Sequence, residues 1–265
     1  MIGASELFRG TAPYHARHAV PYPDELFRSL VRLCRIGNSS RVLDLGAGTG
    51  QISIPLARLV ANVLFVEPSD EMVQEGRRIA EALGAKNIDF LVSRSEGLNE
   101  PGSSFDIAVI ADSFFFMDGA MVLAKLAQMV KLNGCVAIIN RVRDSSEPGE
   151  WNNPLLNEIK EFWGGSFPGP ALTLSDAGVR PSVDREVLRA SDFREITELR
   201  HYYERHWNID DLLGYLYSTS LGASGNLGPR RDEFTTRVRR LLLSYSPSGS
   251  FTERGHITTL LGYRP

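Results

Sequence analysis

The chain is poor in cysteine: Cys34 and Cys135 are the only two in 265 residues. That is too few for a disulfide framework or a cysteine-built zinc site, and no metal is expected. Both flank apolar runs, so two buried free thiols are expected. Neither sign of charge is in excess, with 29 Lys+Arg against 32 Asp+Glu and a formal net charge of −3. That balance argues against the basic face of a nucleic-acid binder. No apolar run is long enough to cross a bilayer, so no membrane partner is expected. The opening stretch, MIGASELFRGTAPYHARH, lacks a basic region followed by an apolar core, so it does not read as a secretory signal and a cytoplasmic location is expected. Internal repeats and low-complexity tracts are also missing. What remains, at 43% hydrophobic and 23% charged residues, is an ordinary globular composition.

From residue 41 to about 140, short apolar runs alternate with helix-like stretches. Strands are expected at 41–45, 63–67, 88–92, 105–111 and 135–140, and helices at 51–60, 70–83 and 120–131. Ser69 is a natural cap for the second of these helices, with Asp70 and Glu71 in its first turn; Gly84 is its stop. Such alternation gives a mostly parallel sheet covered on both faces. One helix, at 23–33, is expected before it. After Asn140 the pattern changes: residues 144–185 are rich in Pro, Gly and Ser around one short helix at 155–162. A strand at 193–206, helices at 209–217 and 230–244, and a closing strand at 256–263 follow.

The most informative stretch is Val42-Leu-Asp-Leu-Gly-Ala-Gly-Thr-Gly-Gln51. An apolar strand carrying Asp44 runs into the turn Gly46-Ala47-Gly48-Thr49-Gly50-Gln51 and then into a helix. Glycines there let the chain turn sharply and let a ligand approach the backbone. The helix start adds unpaired N–H groups and a positive end. A dinucleotide fingerprint would be G-x-G-x-x-G, but here the third glycine comes one residue early and Gln51 stands in its place. A G-x-x-x-x-G-K-[ST] phosphate loop is lacking as well. The next strand ends in Glu67, a carboxylate able to accept from both hydroxyls of a ribose. The pattern suits a nucleoside without a pyrophosphate.

This glycine turn, followed by an acidic residue ending the second strand, resembles the class I S-adenosylmethionine (SAM) methyltransferases, in particular a bacterial small-molecule subgroup. The resemblance implies an α/β fold: a Rossmann-like, mostly parallel seven-stranded sheet with helices on both faces, an N-terminal helical lid and an inserted helical substrate cap. It implies a lid segment at 1–40, a SAM-binding core at 41–143, and at 144–265 the rest of the core with its cap, all as a single domain. Asp44 and the turn from Gly46 to Gln51, Gly48 and Gly50 included, would hold the methionine end of SAM. Glu67 would take the ribose, Pro68 and Met72 would pack near the adenine, and Arg94, Ser95 and Glu96 would edge it. Asp112 and Ser113, after the fourth strand, would sit beside the cofactor and face the substrate. Tyr14, in the segment Tyr14-His-Ala-Arg17, would contact the cofactor or orient the substrate. Tyr22, Phe115, Phe116, Trp207, Tyr215 and Ser218 would line the substrate pocket. Two departures stand out. Arg94 occupies a position where many relatives carry an acid, and Phe114-Phe-Phe116 replaces a His followed by Trp.

The resemblance implies methyl transfer from SAM to an O, N or C nucleophile of a small molecule, with S-adenosylhomocysteine as product. A base is needed only where the nucleophile enters protonated; Tyr14, His15, His18 and Asp112 are the residues considered. The apolar pocket side chains favour a partly apolar specialised metabolite. A SAM-binding protein that transfers no methyl, such as a cyclase, is a second reading, as is a partner subunit that retains the fold. An amino-type nucleic-acid methyltransferase is disfavoured because Asp112-Ser-Phe-Phe lacks the expected paired prolines. The oligomeric state is left open.

Overall fold

The computed structural model describes residues 4–144, 151–165 and 180–265. Among them are seven strands: β1 (Arg41–Leu45), β2 (Asn62–Glu67), β3 (Ile88–Val92), β4 (Phe105–Ala111), β5 (Val130–Arg143), β6 (Arg194–Asn208) and β7 (Ser250–Tyr263). The helices are α1 (Ala4–Leu7), α2 (Ala12–His18), α3 (Asp24–Leu33), α4 (Ser53–Ala57), α5 (Asp70–Ala82), α6 (Gly119–Met129), α7 (Asn152–Trp163), α8 (Arg180–Arg189), α9 (Ile209–Tyr217), α10 (Ser224–Leu227) and α11 (Arg231–Tyr245). The strands form one sheet in the order β3-β2-β1-β4-β5-β7-β6. β1 pairs in parallel with both β2 and β4; β2–β3 and β4–β5 are parallel too. The expected Rossmann-like α/β sheet is therefore present. Its strand order reverses between β1 and β4, where open α/β sheets bind ligands at the strands' carboxyl ends.

The chain divides into two compact units. The sheet unit comprises the described residues within Pro21–Arg141, Val179–His201 and Ile257–Pro265. On one face of its central strands, Leu43, Leu45, Leu64 and Val66 pack with Val122, Leu123 and Leu126 of α6 and Leu188 of α8. Phe65, the alternate residue of β2, points the other way, against Gly76 of α5. A Cβ on Gly76 would stand 3.1 Å from the Phe65 ring, so the glycine lets α5 close on the sheet. Burial on both faces explains why β1 and β2 read as continuous apolar runs.

The helical unit comprises the described residues within Met1–Val20, Val142–Gly178 and Tyr202–His256. Its core joins α7, α9 and α11 through Trp151, Leu155, Ile159, Leu212, Leu216, Phe234 and Val238, with Trp207 and Phe251. β5, β6 and β7 contribute residues to each unit.

Several elements differ from expectation. α4 spans only Ser53–Ala57, because the Ala61 and Asn62 N–H groups already donate to Ser40 O and start β2. β5 and β7 extend well beyond the apolar stretches that marked them. α2 and α8 were not anticipated: α2 carries two histidines and a tyrosine in seven residues, and α8 has a mostly charged surface. Residues 145–150 and 166–179 of the Pro/Gly/Ser-rich stretch lie outside the described residues. Among those described, no helix is long and apolar enough to cross a membrane.

Candidate active site

The glycine turn is built by backbone. Gly46 and Ala47 donate to Val66 O at 2.9 and 3.2 Å, tying the turn to β2. Gly46, Gly48 and Gly50 have φ of +68°, +58° and +97°, the left-handed region that favours glycine. Gly46 is also crowded: a Cβ there would meet Ser113 Oγ at 2.6 Å and Ser113 Cβ at 2.7 Å. The end of β1 and the residue after β4 therefore approach one another as closely as a glycine permits. Ser113 Oγ closes the gap by donating to Leu45 O at 3.0 Å.

Two buried carboxylates flank the turn. Glu67 accepts the Gly48 N–H on Oε2 and the Ser69 N–H on Oε1, both at 3.0 Å. Burial pushes its pKa up to about 7, against the pull of the Ser69 and Gly48 N–H groups, and the charge of Asp44 adds to the rise. Asp44 is more deeply buried and accepts from Ser53 Oγ at 2.6 Å. Burial likewise raises it to about 7, with Ser53 opposing. Ser69 caps α5 through a long 3.5 Å contact from the Met72 N–H, and Met72 is buried. Pro68 is half-buried. Gln51 donates to Thr49 Oγ1 at 2.8 Å. After β3, Ser95 is buried, exposed Arg94 pairs with Glu96 at 3.5 Å, and Glu96 accepts the Asp118 N–H at 3.1 Å.

After β4, Asp112 takes a left-handed φ of +50°. Its Oδ2 accepts the Tyr22 hydroxyl at 2.7 Å and its Oδ1 the Arg141 N–H at 2.8 Å. The Arg141 guanidinium lies 3.9 Å from Oδ2 and 5.2 Å above the Tyr22 ring. Burial, then the charge of Asp112, raises the Tyr22 pKa well above its usual value, so this phenol stays protonated and donates. Phe114 is buried, while half-buried Phe115 and Phe116 stack on each other at 4.2 Å.

Residues 42–134 match the family model of a methyltransferase domain. The ubiquinone biosynthesis O-methyltransferase of Rhizobium johnstonii is 37% identical over 110 residues, which cover 38% of this chain and 42% of that protein. The chain thus spans about two fifths of that relative's length. Aklanonic acid methyltransferase DauC of a Streptomyces species is 28% identical over 52% of this chain and 64% of its own length. In fold, the YcgJ protein of Bacillus subtilis superposes with a TM-score of 0.58 at 17% identity, covering 91% of this chain and 99% of that one. The chain carries a class I, SAM-dependent methyltransferase domain.

The methyltransferase domain brings together most residues assigned to the cofactor from the sequence: Asp44, the glycine turn and Glu67 at the ends of β1 and β2, and Asp112 and Ser113 after β4. It also adds three that were not singled out. Ser53 holds Asp44, Ser69 donates a backbone N–H to Glu67, and Arg141 adjoins Asp112. Ser53 and Ser69 lie on the helices after the two site strands and could have been found by position; Arg141 comes from a strand end far along the chain.

Tyr14, His15, His18, Trp207, Tyr215 and Ser218 belong to the helical unit. The Tyr14 hydroxyl is engaged by Arg231, and its ring lies 5.2 Å from that of Tyr217. His18 Nδ1 is 3.6 Å from Asp211 Oδ1, and its ring fills the space that a Cβ on Gly214 would need. Trp207 is fully buried beneath the Arg205 guanidinium, at 3.7 Å. Ser218 Oγ donates to Tyr215 O at 2.6 Å.

Proposed function

We propose that the chain is a SAM-dependent methyltransferase that moves a methyl group to an oxygen, nitrogen or carbon nucleophile of a small molecule, a bacterial specialised metabolite. The observation that carries this reading is Glu67. Each of its oxygens accepts one backbone N–H and keeps acceptor capacity for a further donor, which suits the paired hydroxyls of a ribose. The turn beside it has no side chain at Gly46, Gly48 or Gly50, so a ligand can approach the backbone there. These residues fit SAM. Asp44, Gly46, Ala47, Gly48, Gly50 and Gln51 are assigned to its methionine end. Pro68 and Met72 are assigned to the adenine face, and Arg94, Ser95 and Glu96 to the adenine edge. The relatives named for ubiquinone biosynthesis and for aklanonic acid support a small-molecule acceptor.

When bound, SAM supplies an electrophilic methyl group on a cationic sulfur. The chain's own contribution is to orient the acceptor, exclude water and take its proton where it carries one. Asp112 is the proposed proton acceptor of the sheet unit, since Tyr22 and Arg141 fix its carboxylate while its side chain stays 39% exposed. Ser113 is placed beside the cofactor, with Tyr22, Phe115 and Phe116 toward the acceptor. Tyr14, His15 and His18 are proposed for the lid, and Trp207, Tyr215 and Ser218 for the substrate cap. The proposed division keeps a lid at 1–40, a core at 41–143 and the remainder with the cap at 144–265. The proposed location is cytoplasmic, with neither nucleic acid nor membrane as partner.

Calorimetric titration with SAM and S-adenosylhomocysteine tests this reading. One equivalent of each is expected to bind. Glu67→Ala, checked for folding by circular dichroism, should lose about hundredfold in affinity, as expected when two charge-assisted hydrogen bonds are removed. Unchanged affinity in the folded variant contradicts the assigned site.

A further inference from the structure

Within the helical unit a recess opens between α7, α9 and the end of β5. Trp151, Leu155, Leu212 and Leu216 form its walls, and Arg143 with Tyr215 forms its polar edge. Its free space is about 240 Å³, the part open to solvent included. Ordinary small-molecule pockets hold roughly 300–1,000 Å³. The recess therefore suits a single ring or a short branched chain, not a fused ring system. Among the described residues, Arg143 is the one charged side chain on its lining.

Arg143 is held from behind. Its Nε lies 3.1 Å from Glu253 Oε2, and the Glu253 side chain is wholly buried. The other carboxylate oxygen accepts the Tyr203 hydroxyl at 2.9 Å. The guanidinium is hydrogen-bonded to Tyr215 and stands 5.1 Å from that ring's centroid. A guanidinium has five N–H donors, so these contacts leave some for a ligand. A buried ion pair is a poor way to gain stability, because apolar residues of the same volume commonly do as well or better. An arginine oriented by a buried glutamate at the edge of an apolar recess is accounted for by recognition of an anion.

We propose that this recess binds a small organic anion, a carboxylate or phenolate carried on one ring or a short branched chain, with the charged end on Arg143 and the carbon body against Trp151 and the leucines. The proposal deepens the assignment of Tyr215 to the substrate and rests on that assignment, but it is made of the helical unit by itself.

The test titrates benzoate, and benzamide as its neutral isostere, into the whole chain. Tryptophan fluorescence and calorimetry follow binding, with S-adenosylhomocysteine titrated separately. Benzoate should saturate, and benzamide should bind at least about tenfold more weakly. Arg143→Gln should lose about tenfold for benzoate and leave benzamide unchanged. Leu212→Phe, which fills the recess and keeps Arg143, should abolish benzoate binding. Both variants should keep wild-type affinity for S-adenosylhomocysteine. Absence of saturation in the wild type, equal affinity for the two probes, or undiminished benzoate binding in both folded variants overturns the proposal. Loss of S-adenosylhomocysteine binding with benzoate binding intact overturns the cofactor reading instead.

Discussion

The two units build their polar interiors in opposite ways. In the sheet unit, the polar cluster at the ends of β1 and β2 is largely backbone. Glycine N–H groups, left-handed turns and two buried carboxylates come from a stretch of 26 residues, Asp44 to Ser69. In the helical unit, the polar contacts are arginines laid on aromatic rings and paired with residues far away in sequence. Arg231 meets Tyr14 across 217 positions, and Arg143 meets Glu253. Backbone donors are fixed by the fold and leave little room for substitution. Arginine–aromatic contacts depend on long side chains whose partners arrive only with the tertiary structure.

The comparison is sharpest at Gly46. Adding a methyl group there imposes a left-handed conformation on alanine and drives Cβ into Ser113. Gly46→Ala should cost about 3 kcal/mol, combining the backbone penalty with overpacking. Adding Ser113→Gly should recover the crowding part and not the backbone part. Denaturant titrations of the two variants check this; an unaffected Gly46→Ala would mean that the turn is not held as tightly as its contacts imply.

Glu67 gives the next effect. Its folded pKa is about 7, above an ordinary carboxylate, so the folded state holds its proton more tightly than the unfolded chain does. Below the unfolded pKa, near 4.3, Glu67 adds no penalty. As pH rises from there to about 7, the folded state loses on the order of 3 kcal/mol from this group. Glu67→Gln removes that dependence. The stability difference between wild type and Glu67→Gln should therefore swing by that amount between pH 4 and pH 8, in favour of the variant at the higher pH. Thermal melts across the range measure it; a flat difference would show that Glu67 is better solvated than its burial indicates.

What could be read before the fold was known follows the same division. The strands from β1 to β4 and the α5 cap were readable because apolar runs, Ser69 and Gly84 act locally. Asp44, the glycine turn and Glu67 were readable because their spacing is set by one strand, one turn and the next strand. β7 was underestimated because Glu253 looks like a surface residue until Arg143 and Tyr203 neutralise it. α2 was missed because its stability comes from Tyr14 and His18 packing on α9 and α11, not from its own sequence. Arg141 and Arg143 were missed because no local pattern separates a site arginine from a surface one.

The smallest effect tests whether those distant contacts have any specificity. Arg231 reaches the Tyr14 hydroxyl and lies 4.6 Å from the centre of the Tyr217 ring, and Tyr217 in turn contacts Thr235 Oγ1 at 2.5 Å. If Tyr14 and Arg231 interact specifically, Tyr14→Phe, Arg231→Met and the double variant should form a cycle with a coupling of about 1 kcal/mol, the size of a single half-exposed charge-assisted contact. The single losses should then sum to more than the double. A coupling near zero would mean that α2 is held by its apolar faces alone, through the Tyr14 and Tyr217 rings, and that the arginine merely covers them. In that case the helical unit would be governed by burial and the sheet unit by backbone geometry, and substitutions at Arg231 would be tolerated where those at Gly46 are not.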